Sequence, residues 1–286
     1  MLAPVAPSRE DDPVRSVLFA VHPDRPAAAD LSAVARAWWE ARDYDVELAA
    51  DHSPGSSHEW DSAMSFGGDG TILRTVQLAL PAGTPVLGIN LGRMGFLAQV
   101  EPAGMEAAFE HLVSGAYQVE DRMALAVNVV RGDGGAGSAH VALNEVIIER
   151  IAPGHTIRVG VEIGGHRFLT YVADGLLVCT PTGSTAYNMS ARGPVLSPSM
   201  QAFVLTPVAP HLVFDRSLVV GPEEPVSLTL LDDRQATAVL DGLCLIPLDP
   251  GDAVVCSASP RPARFVRFGR QDFQAVLRAR FSLADR

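Results

Sequence analysis

The sequence contains no lysine, so all 22 of its basic residues are arginine. This absence excludes mechanisms that need a lysine amine, such as a P-loop around phosphates or a Schiff base with a carbonyl substrate. A coding bias toward arginine accounts for the composition, and the exclusion holds whatever its origin. Any phosphate must therefore be bound by arginine, by backbone N–H groups or by a metal ion.

Cysteine is scarce, and long apolar runs are missing. The three cysteines, Cys179, Cys244 and Cys256, are odd in number and far apart, which fits neither a disulfide framework nor a zinc site and indicates a reducing compartment. No apolar run reaches the roughly 20 residues that span a bilayer. With 48% hydrophobic and 19% charged residues, the composition predicts a soluble, cytoplasmic protein.

An excess of positive charge is missing as well. The formal net charge is -11, whereas nucleic acids are bound through cationic surfaces, so no nucleic-acid partner is expected. The sequence also shows no basic amphipathic helix of the kind that docks on a membrane, so no membrane partner is expected. Residues 1–13 lack the basic-then-apolar order of a signal peptide and are predicted to form a disordered tail. A small molecule is the favoured ligand.

Length and patterning predict two domains. The chain of 286 residues exceeds the usual size of one domain. Strand and helix signals alternate over residues 14–120, as in a parallel α/β sheet, and closely spaced strand signals over residues 121–267 predict a β-rich, sandwich-like domain. A helical pattern of apolar residues near the C-terminus predicts a helix that packs back on the first domain, to which residues 268–286 are assigned.

The strongest single motif is Gly67-Gly68-Asp69-Gly70-Thr71, between a buried strand and an amphipathic helix. Ligands of open α/β sheets lie at the carboxyl ends of strands, where glycines let backbone N–H groups approach a phosphate. A carboxylate at that place either holds a metal ion or accepts a proton from an attacking hydroxyl, and phosphoryl transfer uses both. The alternative is that Asp69 simply caps the helix in a tight turn.

A second glycine-rich loop begins at Asn90, again directly after a strand. Its sequence, Asn90-Leu91-Gly92-Arg93-Met94-Gly95, lacks the G-x-G-x-x-G spacing of dinucleotide-binding dehydrogenases. Asn90 and Arg93 are its polar members and the candidates for ligand contacts. A plain flexible connection between strand and helix is the alternative.

A third cluster runs from Asp174 to Tyr187, where an apolar strand leads into a turn with five hydroxyl-bearing residues. Hydroxyls suit ribose, base edges and phosphate, and the Tyr187 ring could stack, although Ser/Thr-rich turns alone are commonly only turns. Asn144 and Glu145 interrupt an apolar run, so one of them should point inward and need a partner unless the strand has an edge or bulge there. His211 and the pair Asp241-Gly242 are interpreted first as a structural histidine and a hairpin turn.

Taken together and in order, these segments resemble the NAD kinase family over nearly the whole chain. The matching segments are Gly67 to Thr71, Asn90 to Leu97, Asn144 to Val146, Asp174 to Tyr187 and Thr206 to His211. The resemblance implies a Rossmann-like N-terminal α/β domain, a C-terminal β-rich domain, an NAD site between them, and a homodimer or homotetramer. It also implies transfer of the terminal phosphoryl group of ATP, or of inorganic polyphosphate, to the 2′-hydroxyl of the adenosine ribose of NAD, with Mg²⁺ or another divalent cation on the donor phosphates.

The resemblance also implies residue roles. Asp69 would be the catalytic carboxylate, Asn144 and Glu145 would hold ribose, and Asp174 would lie near the base; the metal ligands stay unassigned. The complete set of implied nucleotide-binding residues is Gly67, Gly68, Gly70, Thr71, Asn90, Asn144, Glu145, Asp174, Thr182, Thr185, Ala186, Tyr187 and Ser190.

Three departures from the family pattern leave other functions open. Relatives usually carry two glycines where this chain has Arg192-Gly193, a serine-containing segment at residues 212–214, and a basic residue within residues 171–173. An altered nucleotide substrate and a catalytically silent NAD(P) sensor are the alternatives that these departures allow. A diacylglycerol- or sphingosine-type lipid kinase shares the G-G-D-G turn but does not account for the third cluster.

Overall fold

The computed structural model describes residues 14–52, 59–92, 95–211, 213–269 and 272–282. These residues form two compact units, one up to Glu120 and from Arg264 onward, the other Asp121–Ala263. The predicted disordered tail, Arg93 of the second glycine loop and Leu212 lie outside the described residues. None of the described helices is long and apolar enough to cross a membrane.

The regular elements are numbered in chain order. They are β1 (Ser16–Val21), α1 (Pro26–Glu40), β2 (Asp45–Leu48), β3 (Ser62–Gly67), α2 (Asp69–Ala79), β4 (Val86–Asn90), α3 (Met105–Val113), β5 (Gln118–Arg122), β6 (Leu125–Val130), β7 (Ser138–Ala142), β8 (Glu145–Arg150), β9 (Ile157–Ile163), β10 (His166–Ala173), β11 (Gly175–Cys179), α4 (Tyr187–Ser190), β12 (Phe203–Val208), β13 (Leu218–Val220), β14 (Val226–Leu230), β15 (Ala236–Leu240), β16 (Cys244–Leu248), β17 (Ala253–Ala258), β18 (Ala263–Arg267) and α5 (Phe273–Phe281).

The first unit is built on one six-stranded sheet in the order β2-β1-β3-β4-β18-β5. The pairs β1–β2, β1–β3, β3–β4 and β4–β18 are parallel. Every residue of β3 and β4 is buried, as expected for parallel strands covered on both faces. Trp39 of α1 and Phe109 of α3 are fully buried and belong to the same apolar cluster as Phe66 of β3. The predicted parallel α/β architecture is therefore confirmed.

The C-terminal segment belongs to the first unit. Phe265 of β18 pairs with Val86 of β4, so the strand is part of the parallel sheet, whereas the sequence analysis assigned residues up to 267 to the second domain. Strand patterning alone does not say which sheet a strand joins. The rings of Phe273 and Phe281 in α5 both lie 6.2 Å from that of Phe96, which confirms that the last helix packs on the first unit.

The second unit contains two six-stranded antiparallel sheets. Their orders are β10-β9-β14-β17-β6-β7 and β13-β12-β11-β8-β15-β16. Side chains alternate along the strands, so that Leu125, Val127 and Val129 of β6 are buried while Asn128 and Val130 are exposed. The buried side chains from both sheets form one large apolar cluster. This is the sandwich-like domain that the sequence predicts.

Two local predictions in this unit are wrong. From its apolar residues, the sequence predicts one strand over residues 140–148, but this run forms β7 and β8, which lie in different sheets. Leu143 and Asn144 connect them, and because Ala142 and Leu143 are both buried the apolar pattern shows no break there. The sequence also predicts a helix over residues 184–192, where the structure has only a 3-10 turn, Gly183–Thr185, followed by the single-turn helix α4.

Arg192, at the position where relatives usually carry glycine, has a left-handed backbone with φ of 65°. A residue with a Cβ atom is destabilised there by roughly 1–2 kcal/mol. The next residue, Gly193, also has a steric role, because a Cβ atom at that position would overlap the side chain of buried Asn188. The turn therefore retains one of the two glycines and places an exposed arginine at the other position.

We predict that Arg192→Gly raises the free energy of unfolding by about 1 kcal/mol, because glycine adopts positive φ without a steric penalty. Urea denaturation of the purified variant measures this. Arg261→Gly is the matched control, since Arg261 is also exposed but does not have a positive φ, and glycine there should lower stability. Equal losses in both variants would contradict the prediction.

Candidate functional site

The Gly67–Thr71 motif occupies the turn between β3 and α2. β3 ends at Gly67, Gly68 has extended backbone, and α2 begins at Asp69. A Cβ atom at Gly67 would overlap the Thr71 side chain, so this turn is tight enough to require glycine. Gly68 and Gly70 have open space at the corresponding position, so packing does not require glycine at either.

The carboxylate of Asp69 joins this turn to the second glycine loop. Its Oδ2 accepts a hydrogen bond from the Phe96 N–H at 3.1 Å, and its Oδ1 accepts one from the Leu97 N–H at 3.3 Å. A Cβ atom at Gly95 would overlap the same carboxylate. The Asp69 carboxylate thus accepts its hydrogen bonds from the neighbouring loop. The N-cap residue of α2 is Gly68, so no side chain caps this helix.

Asn90 lies next to the first motif because β3 and β4 are neighbours, and Gly67 pairs with Asn90 in their register. The buried Asn90 amide donates to the Gly92 carbonyl at 3.1 Å and accepts from the Gly92 N–H at 3.2 Å. The Leu91 N–H donates to the Gly67 carbonyl at 3.1 Å. The structure therefore brings the first two motifs together at the ends of two neighbouring strands, and the Asn90 side chain shapes its own loop.

In the second unit, Asp241 organises the connection between β7 and β8. Its Oδ1 accepts hydrogen bonds from the N–H groups of Asn144 and Glu145 at 2.7 and 3.1 Å, and its Oδ2 accepts one from Leu143 at 2.8 Å. Asp241 lies in the hairpin turn between β15 and β16, as predicted, with φ of 50°. The sequence gives no sign that Asp241 also holds residues 143–145, because Asp-Gly is an ordinary turn signal.

Glu145, the first residue of β8, carries a buried carboxyl group. Burial is the main reason that its pKa rises to about 8, and the nearby charge of Asp241 adds to the rise, while a hydrogen bond from the Tyr187 backbone opposes it. Its Oε2 is buried and has no hydrogen-bond partner among the described residues. Glu145 is therefore the inward-pointing member of the pair with Asn144, and near neutral pH it is largely protonated and can donate a hydrogen bond.

The hydroxyl-rich turn packs directly against the same connection. The Thr180 N–H donates to the Asn144 carbonyl at 2.8 Å, and the Thr180 hydroxyl donates to the Leu143 carbonyl at 2.6 Å. A Cβ atom at Gly183 would overlap the Asn144 backbone. The third cluster and the Asn144-Glu145 pair, 29 or more positions apart in sequence, thus form one structure.

Not all the hydroxyls of this turn remain available to a ligand. Those of Thr180 and Ser184 are buried and donate to backbone carbonyls of the protein, and that of Thr185 donates to the Thr182 carbonyl at 3.3 Å. The Thr182 hydroxyl is buried without a partner among the described residues. Thr182 is therefore the member of this set whose polar atom lacks a protein partner.

The other candidates of the second unit lie at its surface. The Asp174 carboxylate makes a bidentate ion pair with Arg150, at 3.0 Å from Nε and 3.1 Å from Nη2. The Tyr187 side chain is 39% exposed, and its pKa is raised by partial burial and by the charges of Glu149, Asp174 and Glu145. Ala186 is half-buried, and Ser190 is exposed at the end of α4. His211 is exposed, and its backbone N–H donates to the Val172 carbonyl at 2.7 Å.

We predict that Glu145→Gln makes the protein increasingly more stable than the wild type as pH rises. The folded pKa of about 8 lies above the ordinary 4.5, so the wild type loses stability as pH rises through this interval, by up to about 1.4 kcal/mol per pH unit, whereas glutamine has no proton to lose. Thermal unfolding of both proteins between pH 5 and pH 9 measures the difference. The control is Glu162→Gln, because Glu162 is an exposed glutamate of β9. A difference that does not change with pH would show that Glu145 is ionised throughout.

Comparison with known proteins places these features in a family. The ATP-NAD kinase N-terminal domain model matches residues 18–117, and the ATP-NAD kinase C-terminal domain model matches residues 143–268. NAD kinase 1 of Streptomyces avermitilis is 36% identical over 95% of this chain and 88% of its own length, and the NAD kinase of Heliobacterium modesticaldum is 36% identical over 89% of this chain and 94% of its own.

Solved structures agree with the sequence relatives. The structure of an NAD kinase from Archaeoglobus fulgidus in complex with ATP superposes on this chain with a TM-score of 0.74 and 27% sequence identity. The match covers 94% of this chain and 99% of the Archaeoglobus chain. Yeast NADH kinase complexed with NADH has the same fold, with a TM-score of 0.84 at 21% identity, covering 96% of this chain and 89% of its own. On the identity to NAD kinases along nearly its whole length, this chain belongs to the NAD kinase family.

Proposed function

We propose that this protein transfers the terminal phosphoryl group of ATP to the 2′-hydroxyl of the adenosine ribose of NAD, giving NADP and ADP. The observation that carries the proposal is the Asp69 carboxylate, which backbone N–H groups hold at the carboxyl edge of a parallel sheet in a chain of this family. Phosphoryl transfer depends mainly on positioning and electrostatics, and a fixed carboxylate supplies both.

Asp69 can act as the proton acceptor in this reaction. Each of its oxygens accepts one backbone N–H, and a carboxylate oxygen has two lone-pair sites, so each retains one for another partner. The ribose 2′-hydroxyl would give its proton to Asp69 while the 2′-oxygen forms a bond to the γ-phosphorus of ATP. The bond between the γ-phosphorus and the leaving ADP oxygen breaks in the same step. No lysine is available for phosphate binding, so the backbone N–H groups of the Gly67–Thr71 turn are the proposed phosphate contacts, and Asn90 beside this turn stays in the proposed nucleotide-binding set.

The residues are compatible with a Mg²⁺ ion that substrate phosphates help to bind. Among the described residues, no group of three or more His, Cys, Asp or Glu side chains could form a protein cage for a metal ion. Mg²⁺ in kinases is usually held by one or two carboxylates together with phosphates and waters. Asp69 is the residue that would contact it, and the ion would neutralise negative charge on the transferred phosphoryl group.

The dinucleotide is proposed to bind through residues of the hydroxyl-rich turn and its neighbours. Oε2 of the Glu145 carboxyl group and the Thr182 hydroxyl are buried polar atoms without partners among the described residues, and both suit ribose hydroxyls. The exposed Tyr187 ring suits stacking on a base or a nicotinamide ring. Asn144, Asp174, Thr185, Ala186 and Ser190 complete the proposed set. A homodimer or homotetramer in the cytoplasm is proposed on the family resemblance, and light scattering would measure the assembly.

We predict that the purified protein forms NADP from NAD and ATP with Mg²⁺, and that Asp69→Asn lowers kcat by two or more orders of magnitude with little change in NAD binding. Asparagine has one acceptor oxygen, so one of the two N–H groups loses its partner, and stability should fall by about 1–2 kcal/mol. An NADP-specific dehydrogenase reads the product, calorimetry measures NAD binding, and inorganic polyphosphate is tested as a second donor.

Glu106→Gln is the matched control, because it removes an exposed carboxylate from the first turn of another helix in the same unit. Its kcat should equal that of the wild type. If Asp69→Asn turned over like the wild type, the catalytic role of Asp69 would be refuted. If the wild type bound NAD without forming NADP from either donor, the protein would be a sensor or a kinase for another nucleotide.

A further inference from the structure

Arg267, the last residue of β18, has a charged side chain buried in the first unit. The side chain is only 4% exposed, and its Nε lies 2.6 Å from Oε2 of Glu120 in the neighbouring strand β5. Its Nη1 donates to the Leu97 carbonyl at 3.0 Å. The guanidinium therefore connects a glutamate on the sheet to the backbone of the second glycine loop.

Leu97 is also one of the two residues whose N–H groups hold Asp69. Its N–H donates to Asp69 Oδ1, while its carbonyl accepts from Arg267. A continuous set of contacts thus runs from Glu120 through Arg267 and Leu97 to the Asp69 carboxylate. All four residues belong to the first unit.

The loop is attached to the same end of β18 by a second contact. The Gln99 side chain donates to the Phe268 carbonyl at 3.3 Å and accepts from the Phe268 N–H at 3.0 Å. On the other side of Leu97, Gly95 lies so close to Asp69 that a Cβ atom would overlap the carboxylate. The loop is therefore in close contact with the Asp69 carboxylate at Gly95. At Leu97 and Gln99 it is held by hydrogen bonds to residues 267 and 268.

We propose that Arg267 is a positioning residue for catalysis, which fixes Leu97 so that the loop amides hold Asp69 in its reactive orientation. The inference rests on the proposed function of Asp69. An arginine suits this task because its planar group donates in two directions at once, here to a carboxylate and to a carbonyl. A lysine could place only one compact charge between them.

The experiment is a double-mutant cycle between Arg267→Met and Asp69→Asn in the full-length protein. Alone, Arg267→Met should lower kcat at least tenfold while KM for NAD changes by less than about twofold, since small displacements of a reacting group reduce the chemical step strongly. In the Asp69→Asn background the same change should lower kcat by less than about threefold, because the group that it positions is already missing. Arg267→Lys should recover only part of the lost kcat.

Arg264→Met is the matched control. Arg264 lies on the same strand and donates to the Gly83 carbonyl at 3.3 Å, away from the Asp69 loop, so its loss should leave kcat near the wild-type value. Circular dichroism and thermal unfolding establish that each variant is folded. If Arg267→Met does not fold, Glu120→Gln enters the same cycle, because it keeps the arginine and weakens only its anchor.

The outcomes separate the inference from the proposed function. Equal losses of kcat in the two backgrounds would mean that Arg267 only stabilises the fold, which overturns the inference and leaves Asp69 catalytic. A loss that appears in KM rather than kcat would also overturn it. Wild-type turnover by Asp69→Asn alone would instead refute the function on which the inference rests.

Discussion

The arrangement of the first unit's site depends on two hydrogen bonds, which the N–H groups of Phe96 and Leu97 donate to the Asp69 carboxylate. Tight, glycine-rich loops leave backbone N–H groups without partners, and burying such groups unpaired is costly. One carboxylate at the start of α2 satisfies two of them and is itself held in place. The same interaction thus shapes the loop and orients the only acidic side chain of the Gly67–Thr71 motif.

The second unit uses the same physical device with different residues. The Asp241 carboxylate accepts three consecutive backbone N–H groups where the chain passes from one sheet of the sandwich to the other. This connection places Glu145 at the start of β8, buried and beside another carboxylate, and so raises its pKa. The two carboxyl groups therefore differ: Asp69 accepts two backbone hydrogen bonds, whereas the raised pKa of Glu145 favours the protonated form, which can donate one.

The absence of lysine gives these arrangements their chemical meaning. A protein without lysine has neither a flexible ammonium group to neutralise phosphates nor a small cation to pair with a carboxylate inside the protein. Arginine takes the second task at residue 267, where one guanidinium contacts a carboxylate and a carbonyl together. For the first task we propose the backbone N–H groups of the glycine-rich turn Gly67–Thr71.

Some features follow from the sequence alone, because they depend on local pattern. The alternation of strand and helix signals, the strand-rich middle segment and the turns at Gly67 and Asp241 are encoded by residue periodicity and by glycine and aspartate at turn positions. The order of the motifs was also enough to indicate the family. The pattern also places a glycine-rich loop directly after each of two strands, but only the pairing of β3 with β4 brings the two loops together.

Other features were decided only by tertiary structure. No local pattern shows that the run 140–148 divides between two sheets, that β18 returns to the parallel sheet, or that Asp241 holds residues 143–145. Each depends on strand pairing or hydrogen bonding with other segments of the folded chain. The roles of Gly95, Gly183 and Arg267 likewise arise from close approach of distant backbone. Sequence periodicity specifies what kind of element a segment forms, whereas burial and hydrogen bonding in the folded chain select its partners.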